Sequence, residues 1–259
     1  MEPLIQTYGR VAGIVFVYMA LWFLLAVIKK RNDVADVAWG LGFLLVALVT
    51  QGTRDTFHGR GLLITALVAL WASRLAIHIH LRNKGKGEDY RYKAWREQWG
   101  QWFYLRTFLQ VFMLQGLFML VIAAPIVIVN TNRAVPLGWL DIVGISIWLV
   151  GFFFESVGDW QLARFTRDPK NRGQILQSGL WQYSRHPNYF GEVTLWWGLW
   201  LISHSAPCGW AGIIGPITIT FLILKVSGIP MLEEKAILNP AFQEYAKRVS
   251  VFFPLPPRR

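Results

Sequence analysis

One cysteine, Cys208, is all that the 259 residues contain. A lone thiol excludes an intrachain disulfide and a cysteine metal cluster. Charge is also scarce. Asp, Glu, Lys and Arg make up 16% of the chain, against about 25% in ordinary soluble domains. There is no G-x-G-x-x-G after a strand and no G-x-x-x-x-G-K-[ST], so neither a Rossmann nor a P-loop nucleotide site is encoded. No Ser/His/Asp or Cys/His nucleophile pattern stands out. Internal repeats and low-complexity segments are missing. Met1 to Tyr8 carries Glu2 but no Lys or Arg, so the first apolar run does not read as a cleaved signal peptide.

What is present is apolar residue in long runs. Hydrophobic residues form 54% of the chain. A bilayer core of about 30 Å needs about 20 apolar residues in a helix. Seven runs approach that length, at 9–28, 36–52, 61–81, 107–129, 137–157, 188–204 and 209–229. The expected fold is therefore all-α, a polytopic membrane protein of seven transmembrane helices. Pro125 and Pro216 fall inside predicted spans and should kink them. The tail 253–257 cannot be helical and should lie as an extended cap.

The net charge of +11 has a topological explanation, so nucleic acid is not an expected partner. Of the 26 Lys and Arg, 21 fall on one side of the predicted spans, four on the other, and Arg74 lies inside a span. Positive residues stay inside. The N-terminus is expected outside and the C-terminus in the cytoplasm, with membrane lipids as surroundings.

Ionisable residues in or at the ends of such spans are functional candidates. Trp71, Arg74 and His78 are spaced i, i+3, i+7 and share a face; the plain alternative is that Arg74 snorkels to the interface. Asp33, Asp36 and Gly40 share a face of the second span, with Trp39 beside them. The two acids fit either a solvated helix cap or a proton donor and substrate anchor. Glu155 and Asp159 are four apart, as are Asn188 and Glu192. Glu192 lies about one turn inside an apolar helix and must be paired, protonated or bound to a ligand. Glu233 and Glu234 fit a charged helix start. His78 and His80 point to opposite sides of one helix, which is poor metal geometry, so no metal is expected.

The densest signal is the segment 158–187 with the start of the sixth span. Arg164, Arg167, Lys170, Asn171, Arg172, Tyr183, Arg185, His186, Asn188 and Tyr189 combine cations, aromatic rings and a helix N-terminus. Together they suit a phosphorylated, ring-bearing ligand. The plain reading is a positive-inside loop with aromatic anchors.

The run Arg185-His186-Pro187-Asn188-Tyr189-x-Gly191-Glu192, the upstream Gly158-Asp159-x-Gln161 and the closing Glu233-Glu234 … Phe242-Gln243-Glu244-Tyr245 resemble the steroid 5-alpha-reductase family. Asp36 to Gly40 resembles the Asp-x-x-Trp-Gly motif of its bacterial relatives. The resemblance runs along nearly the whole chain and is strongest from 150 onward. It implies an NADPH-dependent reduction of a carbon–carbon double bond conjugated to a 3-oxo group on a steroid. It implies an apolar, steroid-like substrate entering from the bilayer among helices within 1–130. The cofactor would be held by 131–259 with the loop 158–187, all in one membrane domain, 1–259.

Asp159, Asn188 and Glu192 match family cofactor positions. Arg164, Arg167, Asn171 and Arg172 lie in the matching basic loop, and Tyr183, Arg185, His186 and Tyr189 belong to the same run. Arg74 and Glu234 join the cofactor set. The animal enzymes polarise the carbonyl with a Gln-Glu pair on the second helix and a Tyr on the third. Here the pair is missing and Trp71 aligns with the Tyr. Asp36, kept protonated by burial, is expected to take the acid's role, with Trp39 or His78 assisting. R-H-P-x-Y-x-G also occurs in isoprenylcysteine methyltransferases and in sterol C14 and C7 reductases. Two other classes therefore stand beside the reductase: an S-adenosylmethionine-dependent membrane methyltransferase, and a non-catalytic transporter or lipid-binding scaffold. A bacterial inner membrane is the expected location, and the sequence leaves the oligomeric state open.

Overall fold

The computed structural model describes residues 4–52, 59–85, 87, 90–132 and 136–258. Among them the structure is all-helical, with no strand beyond an isolated bridge between Ser184 and Ser250. Six helices are long and apolar enough to cross a membrane. They are α1 (Leu4–Lys29), α2 (Val34–Gly52), α3 (Gly59–Asn83), α4 (Tyr92–Ile122), α6 (Trp139–Arg167) and α8 (Gly209–Ala236). Between and after them lie α5 (Ala124–Thr131), α7 (Pro187–His204) and α9 (Pro240–Arg248). The chain falls into two compact units, Met1–Gly138 with Ser203–Ile214, and Trp139–Ile202 with Gly215–Arg259.

In the first unit α1 buries a narrow stripe, Val11, Val15, Met19 and Ala26. Phe16, Leu21, Leu24 and Ile28 stay exposed, as a lipid-facing helix requires, because hydrocarbon exerts no pressure to bury them. Small residues set the helix approaches. A Cβ on Gly40 would meet the Ala72 carbonyl of α3 at 3.3 Å. One on Gly42 would fall under 3.0 Å from the Met119 side chain. Buried Asn130 of α5 donates to the Ala47 carbonyl at 3.1 Å and to Thr50 Oγ1 at 3.0 Å, tying α5 to α2.

Two boundaries differ from the sequence reading. The fourth span, expected at 107–129, begins at Tyr92 and stops at Ile122. Its first turns are rich in aromatic residues and arginine, which dilutes their hydropathy, yet they stack along the helix. Trp95 lies on Trp99 at 5.1 Å, and the Arg96 guanidinium is 4.1 Å from the Phe103 centroid. Pro125, in the first turn of α5, lacks the N–H needed to carry α4 onward. A π-helical stretch, Thr107–Met113, interrupts α4.

The second difference is in the other unit. The fifth span, expected to end at 157, continues as α6 to Arg167. Nothing breaks the helix before Asp168 and Pro169, where Asp168 caps a 3-10 turn by accepting from Lys170 N at 3.0 Å. Asp159, Arg164 and Arg167 are therefore helical and not in a loop. The sixth predicted span, 188–204, is α7, a helix of 18 residues. It is not among the six apolar helices, because Asn188, Glu192, His204 and three Trp replace aliphatic residues.

The approach of α6 to α7 is set by glycine on both sides. Gly144, Gly151 and Gly158 recur every seven residues on α6, and Gly191 and Gly198 do so on α7. A Cβ on Gly151, Gly191 or Gly198 would lie under 3.0 Å from backbone atoms of the other helix. Backbones this close are the usual product of small-residue faces between membrane helices. After α8, the amphipathic α9 buries Phe242 and Tyr245, together with Val249 just past its end, against Ile175 and Ala236. The tail is extended, as expected: Leu255 N donates to the Tyr183 carbonyl at 3.0 Å, and Arg185 N to the Ser250 carbonyl at 2.8 Å.

Candidate functional site

In the second unit the glycine-lined contact ends at Gly158. A Cβ there would meet Asn188 N at 3.1 Å. This brings a side-chain amide against a carboxylate: Asn188 Nδ2 donates to Asp159 Oδ1 at 3.1 Å. Asp159 is buried. Asn188 Oδ1 is also buried, yet accepts no hydrogen bond. A buried acceptor left open costs about 1–3 kcal/mol; Gln115 Oε1 and Asn130 Oδ1 are buried acceptors in the same position elsewhere in the structure.

Two residues earlier, His186 Nε2 contacts Glu233 Oε1 at 2.8 Å. An ionised carboxylate only accepts, so Nε2 carries the proton in that bond. Arg185 Nε lies 3.1 Å from the same oxygen, and its Nη1 donates to the Ala246 carbonyl at 3.3 Å. The His186 ring is stacked on Tyr189, with centroids 5.7 Å apart. The backbone below is fixed by Ser184, whose Oγ donates to the Phe252 carbonyl at 2.8 Å and accepts from His186 N at 3.1 Å.

The segment from α6 to α7 is pinned from three directions. Trp181 Nε1 donates to the Gly158 carbonyl at 3.2 Å, and Gln161 Oε1 accepts from Leu180 N at 3.0 Å. Gly179 has φ +64, and a Cβ there would strike Gln161. Tyr245 Oη donates to the Trp181 carbonyl at 2.5 Å. Burial pushes this phenol above its ordinary 10.0, and the nearby Arg185 charge opposes that in part.

The predicted cofactor residues of this unit thus separate into two groups. Asp159, Arg185, His186, Asn188 and Tyr189 form one connected cluster. Glu192 is partly buried on α7, one turn past Asn188. Arg164, Arg167 and Arg172 are exposed, with Arg164 5.6 Å from the Trp160 centroid. Asn171 is committed to the turn, donating to the Phe165 carbonyl at 3.0 Å. Tyr183 is exposed at its side chain and holds the tail through its carbonyl. Glu234 is exposed. The neighbouring Glu233 makes the contacts to Arg185 and His186; the two acids lie near the end of α8 and not at a helix start as expected, and their adjacency gave no sequence signal to separate them.

The remaining predicted residues, Asp36, Trp39, Trp71, Arg74 and His78, belong to the first unit. Asp33 is buried and gripped by Arg31, Nε to Oδ1 at 3.0 Å and Nη2 to Oδ2 at 2.6 Å. Asp36 is the more open acid. It was expected to be kept protonated by burial, but it is only partly buried, accepts from Tyr92 Oη at 3.4 Å and lies 3.7 Å from Arg82 Nη2. Tyr92 is a phenol that the sequence reading did not single out, because it lies outside the predicted spans. Trp39 packs edge-on to Phe43 at 5.0 Å, and Phe43 to fully buried Trp71 at 5.7 Å. Trp71 is thus an aromatic wall. Arg74 and His78 are partly buried on α3, and each interacts within the chain.

Residues 22–249 match the family described as protein of unknown function, DUF1295. The chain belongs to this family. An uncharacterised protein of Schizosaccharomyces pombe, C594.04c, is 26% identical over 262 residues, covering 88% of this chain and 72% of the yeast protein. The bovine (Bos taurus) enzyme 3-oxo-5-alpha-steroid 4-dehydrogenase 1 is 34% identical over 77 residues. That match covers 28% of this chain and 30% of the bovine enzyme. A DUF1295 protein with this partial similarity is related, distantly, to an oxidoreductase.

Proposed function

We propose that this DUF1295 protein is an NADPH-dependent membrane reductase. It reduces the double bond of an apolar, steroid-like enone, with 3-oxo-Δ4 steroids as the representative substrates. The observation that carries this reading is the 34% identity to the bovine dehydrogenase, taken with the open acceptor on Asn188.

The residues present fit the cofactor. Asn188 Oδ1 offers a buried acceptor for an amide N–H, and Asp159 holds that side chain in place. The exposed guanidinium groups of Arg164, Arg167 and Arg172 suit phosphate groups. The stacked His186 and Tyr189 offer a ring surface, and Glu233 fixes the imidazole. Bound NADPH would supply a hydride to the β carbon of the enone. Negative charge then develops on the ketone oxygen, and a donor there lowers the barrier. Tyr92 and Asp36 are the pair assigned to that oxygen. Arg82 holds the Asp36 carboxylate, and the Tyr92 phenol is the proton source. Trp39 and Trp71 supply apolar walls.

In this reading α7 crosses the membrane as a seventh span. The N-terminus faces outward, and the C-terminus and cofactor site face the cytoplasm of a bacterial inner membrane. Purified protein should bind NADPH, with nicotinamide fluorescence reporting saturation, and should ignore S-adenosylmethionine. Binding of S-adenosylmethionine in place of NADPH would move the chain to the methyltransferase class.

A further inference from the structure

Beneath α9 the tail encloses an open cleft of about 340 Å³, wholly within the second unit. Four cations line it, Arg185, Lys247, Arg248 and Arg258, and among the described residues no carboxylate does. Two of the four are answered nearby: Arg185 by Glu233 at 3.1 Å, and Lys247 by Glu244 at 2.6 Å. Arg248 Nη2 donates to Gln177 Oε1 at 3.1 Å, and its charge also acts on the Glu244 carboxylate four residues earlier on α9, which is already bonded to Lys247. Arg258 is brought to the same cleft by its own backbone, its N–H donating to the Arg248 carbonyl at 2.8 Å. Apolar Val251 and Leu255 complete the lining and are themselves exposed.

The geometry points to a second ligand site in this cleft, one that takes the phosphate group of an amphipathic anion. Arg248 and Arg258, joined by a main-chain bond, both line the cleft, and a guanidinium fork matches phosphate oxygens better than a point charge does. The apolar side of the cleft suits a ligand with a hydrocarbon part. The cleft shares Arg185 with the Asn188 cluster, but Lys247, Arg248 and Arg258 lie outside that cluster, so the proposal stands whether or not the protein is a reductase. Its ligand is either the headgroup of an anionic membrane lipid or a soluble phosphate compound, and the chemistry of recognition is shared.

Two arms of one experiment tell the sources apart. In the first, full-length protein in nanodiscs of mixed phosphatidylglycerol and phosphatidylcholine is released, and the lipid it retains is counted by native mass spectrometry. In the second, detergent-solubilised protein is titrated with inorganic pyrophosphate and followed by thermal shift. The variant is the double substitution Arg248→Gln with Arg258→Gln. At roughly fivefold per arginine, it should lose about thirtyfold in affinity in whichever arm reports binding by the wild type. Loss confined to the phosphatidylglycerol arm assigns a lipid headgroup, and loss confined to pyrophosphate assigns a soluble phosphate. Val251→Trp, which fills the cleft and keeps the charges, should also lose binding and decides the matter if the double variant does not fold. The double substitution Arg10→Gln with Lys29→Gln should change nothing. Equal binding by wild type and cleft variants in both arms overturns the site. So does an equal loss in the Arg10 and Lys29 control.

Discussion

Asn188 and Asp159 meet across two helices through a single amide–carboxylate bond of 3.1 Å, and the other amide atom, Oδ1, is buried with no donor. The contact exists because Gly158 lets the start of α7 approach α6. Replacing Asn188 by Ala should raise the Kd for NADPH about tenfold or more, since one charge-free buried hydrogen bond and its orienting partner are lost. Fluorescence titration checks this, with thermal stability as the control that the fold survives.

The glycine face predicts a graded response. Gly151→Ala and Gly191→Ala push a methyl group into backbone, which cannot swing aside. Each should cost at least about 1–3 kcal/mol. Gly158→Ala, with its nearest atom at 3.1 Å, should cost less. Gly13→Ala, in open space on α1, should be neutral or slightly stabilising. Melting temperatures in one detergent rank the four.

Glu233 answers both Arg185 and His186. Glu233→Gln should destabilise by about 1.5–3 kcal/mol, the range for hydrogen bonds to charged groups. Glu234→Gln, at an exposed neighbour, should stay within about 0.5 kcal/mol. Chemical denaturation of the two variants separates their roles, and equal losses would refute the assignment.

Tyr245 gives the fold a pH dependence of known sign. Burial raises the folded-state phenol above its ordinary 10.0, so the fold favours the neutral ring. That stabilisation is complete below pH 10.0 and is lost as pH rises beyond it, because the unfolded chain ionises first. The melting temperature of the wild type should fall more steeply from about pH 9.5 to 11 than that of Tyr245→Phe. The variant carries a constant penalty for the lost bond to Trp181 but not the alkaline slope.

Asp36 and Tyr92 are tied at 3.4 Å. If they serve the ketone oxygen, Tyr92→Phe should lower kcat by about 10²–10⁴, the span of general acid catalysis, and leave NADPH affinity unchanged. Asp36→Asn should do the same. Loss of NADPH binding in either would assign the pair to the cofactor instead.

The helical membrane class was legible because apolar runs of spanning length leave few alternatives. The ends were harder. Hydropathy dropped at Trp95, Trp99 and Arg96, but stacking carries α4 through them. It dropped again at Asp159 and Arg164, although no breaker stands before Pro169. The run from Arg185 to Tyr189 was visible as a motif, and it is one connected cluster. What the sequence could not separate were near neighbours with different duties. Asp33 is locked to Arg31 while Asp36 faces Tyr92, and Glu233 is bonded while Glu234 faces outward. Such choices depend on helix rotation and partner distance. The seven-residue glycine spacing on α6 and α7 stands in the sequence, but its meaning emerged only from the close backbone approach of the two helices.

The reductase assignment is tested most directly by incubating the purified protein with NADPH and a 3-oxo-Δ4 steroid, following cofactor absorbance and weighing the product. The account predicts one steroid gaining two hydrogens for each NADPH oxidised. NADPH that binds and is never consumed, with the steroid mass unchanged, would contradict it for this substrate class.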